Sequence, residues 1–115
     1  MIVAHVKDAE KKVVNHPEAK EATMKVLISQ KEGWDGHVMR IFEVEPGGCT
    51  PRHQHPWPHI NYIIRGSATL HLNGEDNHLT AGSYAFVPAG SLHQFQNTGN
   101  ETFEFMCIVP EEGHQ

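Results

Sequence analysis

The sequence has few cysteines, no excess of positive charge and no long apolar run, and each of these shortages excludes a class of protein. Two cysteines in 115 residues do not make a disulfide framework, so reduced thiols are expected. No window approaches the roughly 20 apolar residues of a membrane-spanning helix. The first residues lack a charged segment followed by an apolar run, which argues against a signal peptide. We therefore expect a cytoplasmic protein without a membrane partner.

The net charge limits the kinds of partner that the chain can bind, and its length limits the number of domains. Nine lysines and arginines stand against fourteen aspartates and glutamates, which gives a formal net charge of −5 with histidine neutral. Nucleic acids are bound by basic patches, so no nucleic-acid partner is expected. A chain of 115 residues matches one domain, and a single domain over residues 1–115 is predicted.

Histidine, by contrast, is abundant, and four of the ten histidines form a pattern. His53-x-His55-x3-His59 is followed much later in the chain by His93. Prolines interrupt the first three, so no helix carries them, and on an extended strand His53 and His55 point to the same face. Because neutral imidazole is a good ligand for zinc, copper, iron and nickel, the pattern predicts a site for a divalent transition metal.

From residue 24 onward, short runs of strand-forming residues alternate with turn residues. Asn73-Gly74 is the strongest hairpin signal, because a type I′ turn requires positive φ at both central positions. Short strands without helical periodicity indicate an antiparallel sandwich or a closed barrel. Residues 8–14 and 17–22 are each expected to form a short helical turn in a less regular N-terminal segment. The main strands are predicted at 24–30, 37–45, 52–55, 60–65, 68–72, 84–87, 93–96 and 102–109.

The strand that begins near residue 60 is apolar on both faces. Ile60, Tyr62 and Ile64 share one face, and Asn61 and Ile63 share the other. An antiparallel strand with one solvated face alternates apolar and polar residues, so the outer face of this strand is expected to be covered. The N-terminal segment or a second subunit would cover it, and we favour a homodimer.

Two longer motifs contain the four histidines. They are Gly47-x5-His53-x-His55-x3-His59-x6-Gly66 and Gly82-x5-Pro88-x-Gly90-x2-His93-x3-Asn97. These motifs resemble the two signatures of the cupin superfamily, with one departure, since cupins usually have glutamate where this chain has His59. The resemblance covers about half of the chain. It implies an all-β fold, a small antiparallel jelly-roll β-barrel, with the metal-binding core at about residues 37–109.

By this resemblance, His53, His55 and His93 take the three usual histidine positions of the metal site, and His59 takes the glutamate position. The chain is most similar to short single-domain cupins with four histidines, whose known members hold manganese. The similarity extends to residues 38–40, 44–48 and 55–57. One divalent metal per chain is therefore implied, with manganese as the first choice and iron, nickel, copper or zinc as alternatives.

A fourth histidine in place of the glutamate changes the charge of the site. A carboxylate would cancel one unit of the metal's charge, whereas four neutral imidazoles leave the full charge inside a barrel. That charge is expected to attract a small-molecule substrate or an anion to the open metal positions. A six-coordinate ion with four protein ligands keeps positions open, as catalytic sites do.

Further residues are candidates for the site. Trp57, Asn61 and Cys107 are expected to line the substrate pocket, Cys107 because its face of the last strand is predicted to point inward. Cys107 is either a small buried apolar residue or a thiol close to the metal. No catalytic residue beyond the metal ligands is predicted, unless His71 or Tyr84 points inward.

Three functions fit these residues. We favour a metal-dependent oxidoreductase of the dioxygenase type that acts on a small organic molecule, because few general bases are evident and the metal would carry the reaction. The first alternative is a non-catalytic cupin that binds a small molecule or an anion through its metal. A metal-assisted isomerase is the third choice, since it needs a proton-transfer residue that the sequence does not reveal. Fold analogy alone does not choose among them.

Overall fold

The computed structural model describes residues 1–114, which form a nearly closed antiparallel β-barrel. This part of the chain contains three short 3₁₀ helices and no α-helix, and none of its helices has the length and apolar character to cross a membrane. The strands are β1 (Lys12–Val13), β2 (Lys20–Ile28), β3 (His37–Cys49), β4 (His59–Arg65), β5 (Ser67–Leu72), β6 (Glu75–Thr80), β7 (Tyr84–Val87), β8 (His93–Gln96) and β9 (Phe103–Pro110). The 3₁₀ helices are Val6–Asp8, Gln30–Glu32 and Glu111–His114.

Antiparallel pairing joins the strands in the order β6-β5-β8-β3-β9-β4-β7. The long strand β3 pairs with β2 as well as with β9, and its last residue, Cys49, pairs with Gln96 of β8. Strands that are neighbours in the sheet thus come from distant parts of the chain, as in a jelly roll. The predicted all-β jelly-roll barrel is confirmed. Asn73 and Gly74 join β5 to β6 with φ angles of 49° and 83°, as the predicted hairpin turn requires.

On β4, β5, β8 and β9, alternate residues are buried and fill the interior of the barrel. On β9, the residues Phe103, Phe105, Cys107 and Val109 are only 0–3% exposed, whereas the residues between them are partly exposed. Phe95 of β8 stacks on Phe105 with ring centroids 4.4 Å apart. Burial of each such apolar side chain stabilises the fold by roughly 1.5–3 kcal/mol. This core holds together the strands that carry the histidines.

Two strand predictions in the middle of the chain are wrong. Residues 52–55 form no strand, since His53 makes only an isolated bridge to His93 in a segment rich in prolines, which lack the N–H that a ladder needs. Strand β3 continues to Cys49 instead of ending before Pro46. A register shift in the pairing with β2 leaves residues 45–48 between two regular pairs, so Pro46 costs no ladder hydrogen bond.

The N-terminal segment is extended rather than helical. Residues 8–14 contain β1 and only the end of a 3₁₀ helix, and β2 begins at Lys20 within the segment 17–22. Glu21 takes a positive φ of 51° at the register shift between β2 and β3. Pairing with β3 decides the conformation here, because the local preference for a helical turn is weaker than the hydrogen bonds of the sheet edge.

Candidate metal centre

A loop and two strand ends bring the four histidines together. His53 and His55 lie in the loop between β3 and β4, while His59 and His93 are the first residues of β4 and β8. Backbone hydrogen bonds in both directions join His53 and His93, with N–O distances of 3.2 and 3.0 Å. The loop is therefore held against β8, which places its two imidazoles beside the ring of His93.

The four imidazoles form one cluster. The ligand nitrogens of His53, His55 and His93 all lie within 4.8 Å of one another, so these three residues could hold a metal ion. The Nε2 atom of His59 is 3.1 Å from Nε2 of His93, and the His59 ring centroid is 5.4 Å from that of His55. The structure thus places all four histidines of the sequence pattern next to one another.

In three of the histidines, the ring nitrogen Nδ1 lies within hydrogen-bond distance of an oxygen acceptor. The Nδ1 atoms of His55 and His93 each lie 2.9 Å from a backbone carbonyl oxygen, those of Trp57 and Ser91. Nδ1 of His59 lies 2.8 Å from Oδ1 of Asn61. Because these oxygens only accept hydrogen bonds, each Nδ1 is the protonated donor, and in the neutral ring each Nε2 then keeps its lone pair. That tautomer is the one that binds a metal through Nε2.

Three imidazoles of the cluster, those of His53, His59 and His93, are uncharged at neutral pH because their pKa values are lowered. Burial lowers the pKa of His59 to about 3, and repulsion by His93 is the next cause. Burial, together with the neighbouring imidazoles of His93 and His55, lowers the pKa of His53 to about 4. Burial also lowers the pKa of His93. Neutral imidazoles are the metal-binding form of histidine, so protons do not compete strongly with a metal for these three rings at pH 7.

The histidines open into a cavity of about 510 Å³ whose other walls are mainly apolar. Phe42, Phe95 and Phe105 form much of the inner wall, and Met24 and Val14 add to it. No aspartate, glutamate, lysine or tyrosine of residues 1–114 lines this cavity. Apolar walls with a few convergent polar groups are typical of a site for a small organic molecule.

The three pocket candidates lie in different places around the cluster. Trp57 lines the cavity and stacks on the ring of His55, with centroids 4.7 Å apart. Cys107 lines the cavity from β9 and accepts a hydrogen bond from Arg40 at 3.3 Å. Asn61 is buried behind His59 and does not line the cavity, and its Nδ2 has no hydrogen-bond partner within the described part of the chain. Asn61 therefore orients a histidine instead of contacting the cavity.

The two residues considered as general bases point away from the cavity. Tyr84 is 82% exposed on the outer surface. His71 donates through Nε2 to Oε1 of Gln96 at 3.0 Å and contacts the carboxylate of Asp76 through Nδ1, and these bonds raise its pKa. Neither residue takes part in the histidine cluster.

Sequence reasoning missed three basic side chains of the cavity, one arginine and two histidines. Arg40 projects inward from β3, and His16 and His114 lie in the wall formed by the N- and C-terminal segments. Alternation along β3 could have identified Arg40, because it shares a face with Val38 and Val44, which are both buried. The positions of His16 and His114 depend on how the terminal segments pack, which no local pattern reveals.

Comparison with known proteins places this site in a family. The family model described as the cupin domain matches residues 40–109. An oxalate-binding protein of Thermotoga maritima is 34% identical over 68 residues, which cover 58% of this chain and 56% of that protein. The tetracenomycin polyketide synthase protein TcmJ of Streptomyces glaucescens is 32% identical over 94 residues, which cover 76% of this chain and 60% of TcmJ. The matches thus span somewhat more than half the length of these two relatives.

Solved structures share the fold over nearly the whole chain. The polyketide cyclase RemF of Streptomyces resistomycificus superimposes with a TM-score of 0.90 and 36% sequence identity, covering 96% of this chain and 79% of RemF. A predicted oxalate decarboxylase of Thermotoga maritima superimposes with a TM-score of 0.86 and 26% identity, covering 95% of this chain and 98% of that protein.

Proposed function

Because the chain belongs to the cupin domain family, we propose that it is a metal-dependent enzyme that converts a small, mainly apolar organic molecule. The observation that carries this proposal is the cluster of imidazoles in the wall of a mainly apolar cavity of about 510 Å³. A structural metal site closes its coordination shell and needs no cavity beside it. A cavity of this size, with polar groups gathered on part of its wall, suits a bound substrate.

We infer that all four histidines hold the metal. Two nitrogens bound to one ion at about 2.1 Å each lie about 3 Å apart when they subtend a right angle, and the Nε2 atoms of His59 and His93 are 3.1 Å apart. When bound, a divalent ion would supply Lewis acidity to an oxygen atom of the substrate. Donor sets made only of imidazole discriminate weakly among metals, so manganese, the expectation from the sequence, competes with zinc, iron, nickel and copper.

Ring closure of a polyketide-like molecule is the reaction that we favour. The similarity to the polyketide cyclase RemF, at 36% identity over nearly the whole chain, supports it, as does the similarity to TcmJ. The aromatic walls would hold a flexible substrate in a folded shape and exclude water from it. His16 and His114 offer imidazoles outside the cluster, and burial lowers the pKa of His114, so that it is a neutral proton acceptor at pH 7.

An oxidoreductase of the dioxygenase type is the second candidate. The absence of carboxylates, lysines and tyrosines from the cavity wall in residues 1–114 leaves few protein acids and bases. A reaction in which dioxygen is the co-reactant needs fewer of them. The likeness to an oxalate-binding protein supports a third candidate, reversible binding of an anion without turnover.

One experiment separates these candidates. Protein purified without a chelating column would be analysed for its metal content and then incubated with linear poly-β-ketones, catechols and flavonols, under air and under argon. Loss of water without oxygen uptake would support ring closure, and oxygen uptake would support the oxidoreductase. Binding of oxalate without any product would support the non-catalytic candidate. The His93→Ala variant is the control, because product that still forms without the metal site would contradict every metal-dependent proposal.

We also propose that the outer face of β4 and β7 pairs with a second copy of the chain. The side chains that support this are 44–82% exposed and form one apolar surface, so the segment 1–114 does not cover them. Apolar surfaces of this kind mark protein–protein contacts. They are Ile60, Tyr62, Ile64, Tyr84 and Phe86.

A further inference from the structure

Arg40 shares the cavity with the histidine cluster. It lies on the inner face of β3 and is directly opposite Cys107 of β9, which in turn is opposite Asn61 of β4. These three residues form a row across three adjacent strands, and Asn61 holds the ring of His59. Neighbouring strands are about 4.8 Å apart, so the backbones of Arg40 and Asn61 are separated by roughly 10 Å.

The guanidinium group of Arg40 has no carboxylate partner among residues 1–114. Its Nη2 donates to Sγ of Cys107 at 3.3 Å, its Nη1 contacts Sδ of Met24 at 4.0 Å, and the group lies 5.0 Å from the centroid of the Phe42 ring. Nε is buried and has no hydrogen-bond partner in the same segment. Sulfur atoms are weak acceptors, so these contacts orient the charge without neutralising it.

A surface arginine of this protein, unlike Arg40, is paired with carboxylates. Arg65, on the surface, contacts the carboxylates of Glu43 at 3.3 Å and Glu104 at 3.7 Å. A guanidinium group is always charged, and its enclosure without an anion is unfavourable. Within residues 1–114, the fold therefore keeps a cation without a neutralising anion in the wall of the cavity, next to the space that a ligand would fill.

We propose that Arg40 is the anchor for an anionic oxygen of the ligand, a carboxylate or an acidic enol or phenol, while the ligand's apolar body lies against Phe42 and Phe105. The inference rests on the proposed function, in that a small organic molecule occupies the cavity. Arg40 then determines specificity, because a neutral analogue of the same shape leaves the guanidinium unpaired. The fork of N–H donors suits two oxygens on one carbon better than a single one.

A pair of matched probes tests this role. The binding of 2-naphthoate and of its neutral analogue 2-naphthamide would be measured by calorimetry on metal-free protein, so that no metal ion can bind the carboxylate. We expect naphthoate to bind at least about tenfold more tightly, as a charge-assisted hydrogen bond implies. Arg40→Met should abolish this preference, and Arg40→Lys should restore part of it. Arg52→Met, which removes the same charge from an exposed position next to His53, should leave the preference intact.

The outcomes distinguish this inference from the proposed function. A preference for naphthoate that persists in Arg40→Met, or equal binding of both probes to the unaltered protein, overturns the role of Arg40. Either result leaves intact the proposal that the cavity binds a small organic molecule. Failure of both probes to bind the unaltered protein, with and without metal, also overturns the proposal that the cavity binds a small organic molecule. Binding of naphthoate that appears only after metal is added assigns the carboxylate to the metal and overturns the inference.

Thermal unfolding gives an independent measurement. If Arg40 serves a ligand, its replacement by methionine removes an unneutralised charge from the barrel, and the melting temperature of the metal-free protein rises. If Arg40 is instead a structural residue, Arg40→Met lowers the melting temperature. Naphthoate should raise the melting temperature of the unaltered protein but not that of Arg40→Met.

Discussion

His59 and His93 approach each other to 3.1 Å between their Nε2 atoms, although 34 residues separate them in the chain. A direct hydrogen bond between these nitrogens would require a proton on one Nε2. That ring would then have no proton at Nδ1, and its nitrogen lone pair would face an oxygen, Oδ1 of Asn61 or the carbonyl of Ser91. A shared cation would satisfy both Nε2 atoms without this conflict, which supports the proposal that the two histidines are ligands of one metal.

Replacement of His59 tests the fourth ligand directly. His59→Ala should weaken the affinity for Co²⁺ by at least about tenfold, because loss of even an indirect contact to a metal ligand typically costs that much. The visible absorption bands of bound Co²⁺ should also change, since they depend on the number of ligands. His78→Ala, at an exposed position of β6, is the matched control. Full stoichiometry with an unchanged spectrum in His59→Ala would leave only three histidine ligands.

Asn61 should control the affinity of the metal without binding it. Its Oδ1 fixes the ring of His59 and keeps the proton on Nδ1. We expect Asn61→Leu to bind one Co²⁺ per chain with an affinity about 10–100-fold lower, as for other residues that orient metal ligands. Gln54→Leu, an exposed change in the loop between His53 and His55, should leave the affinity unchanged. Equal affinities for both variants in a cobalt titration would contradict this role.

The histidine cluster should make the metal-free protein sensitive to acid. Burial lowers the pKa of His59 to about 3 and that of His53 to about 4, whereas both titrate near about 6.5 in the unfolded chain. Below pH of about 6.5, the unfolded chain binds protons that the folded chain excludes, so stability falls as the pH is lowered towards about 4. The urea midpoint, measured from pH 7.5 to 4.5, should decrease steadily, and His59→Gln should reduce this slope.

His71 should have the opposite dependence. Its hydrogen bonds to Gln96 and Asp76 raise its pKa in the folded state. The stability that it adds is therefore complete below its unfolded pKa and is lost as the pH rises through the higher folded value. His71→Gln should flatten the change in the urea midpoint above pH 7 and keep the decrease in acid. An unchanged slope above pH 7 in His71→Gln would contradict this role of His71. A urea midpoint that rises as the pH falls to 4.5 would contradict the lowered pKa values of His53 and His59.

The histidine cluster could be predicted from the sequence because its signals are local. Two histidines at a spacing of two residues in a proline-rich segment allow few conformations, and His93 follows a turn that Gly90 opens with a φ of 79°. Arg40 gives a weaker signal, its alternation with the buried residues Val38 and Val44. A charged residue within a strand is usually assigned to the solvent side, and closure of the barrel confirms that the face of Arg40 is the interior one.

The N-terminal segment is a second region whose structure local sequence patterns do not predict. Its residues have no strong periodicity, and β2 forms because β3 offers an edge to which it can bond, with register shifts that absorb its irregular positions. Long-range pairing of this kind is decided by the partner strand and not by the segment itself. The same reasoning applies to His16 and His114, which line the cavity because the N- and C-terminal segments pack against the barrel.

The exposed apolar face of β4 and β7 predicts a homodimer in solution. Ile60 lies opposite Phe86, and Tyr62 lies opposite Tyr84, so four large side chains are adjacent on one surface. A second copy of the chain would bury these side chains. A glutamate introduced among them would become a buried charge without a partner and would oppose the contact. We therefore expect light scattering to give twice the chain mass for the unaltered protein and for Thr80→Glu, an exposed change on β6. Phe86→Glu should give the mass of one chain with unchanged Co²⁺ affinity. If the unaltered protein already has the mass of a single chain at micromolar concentration, this face has another function.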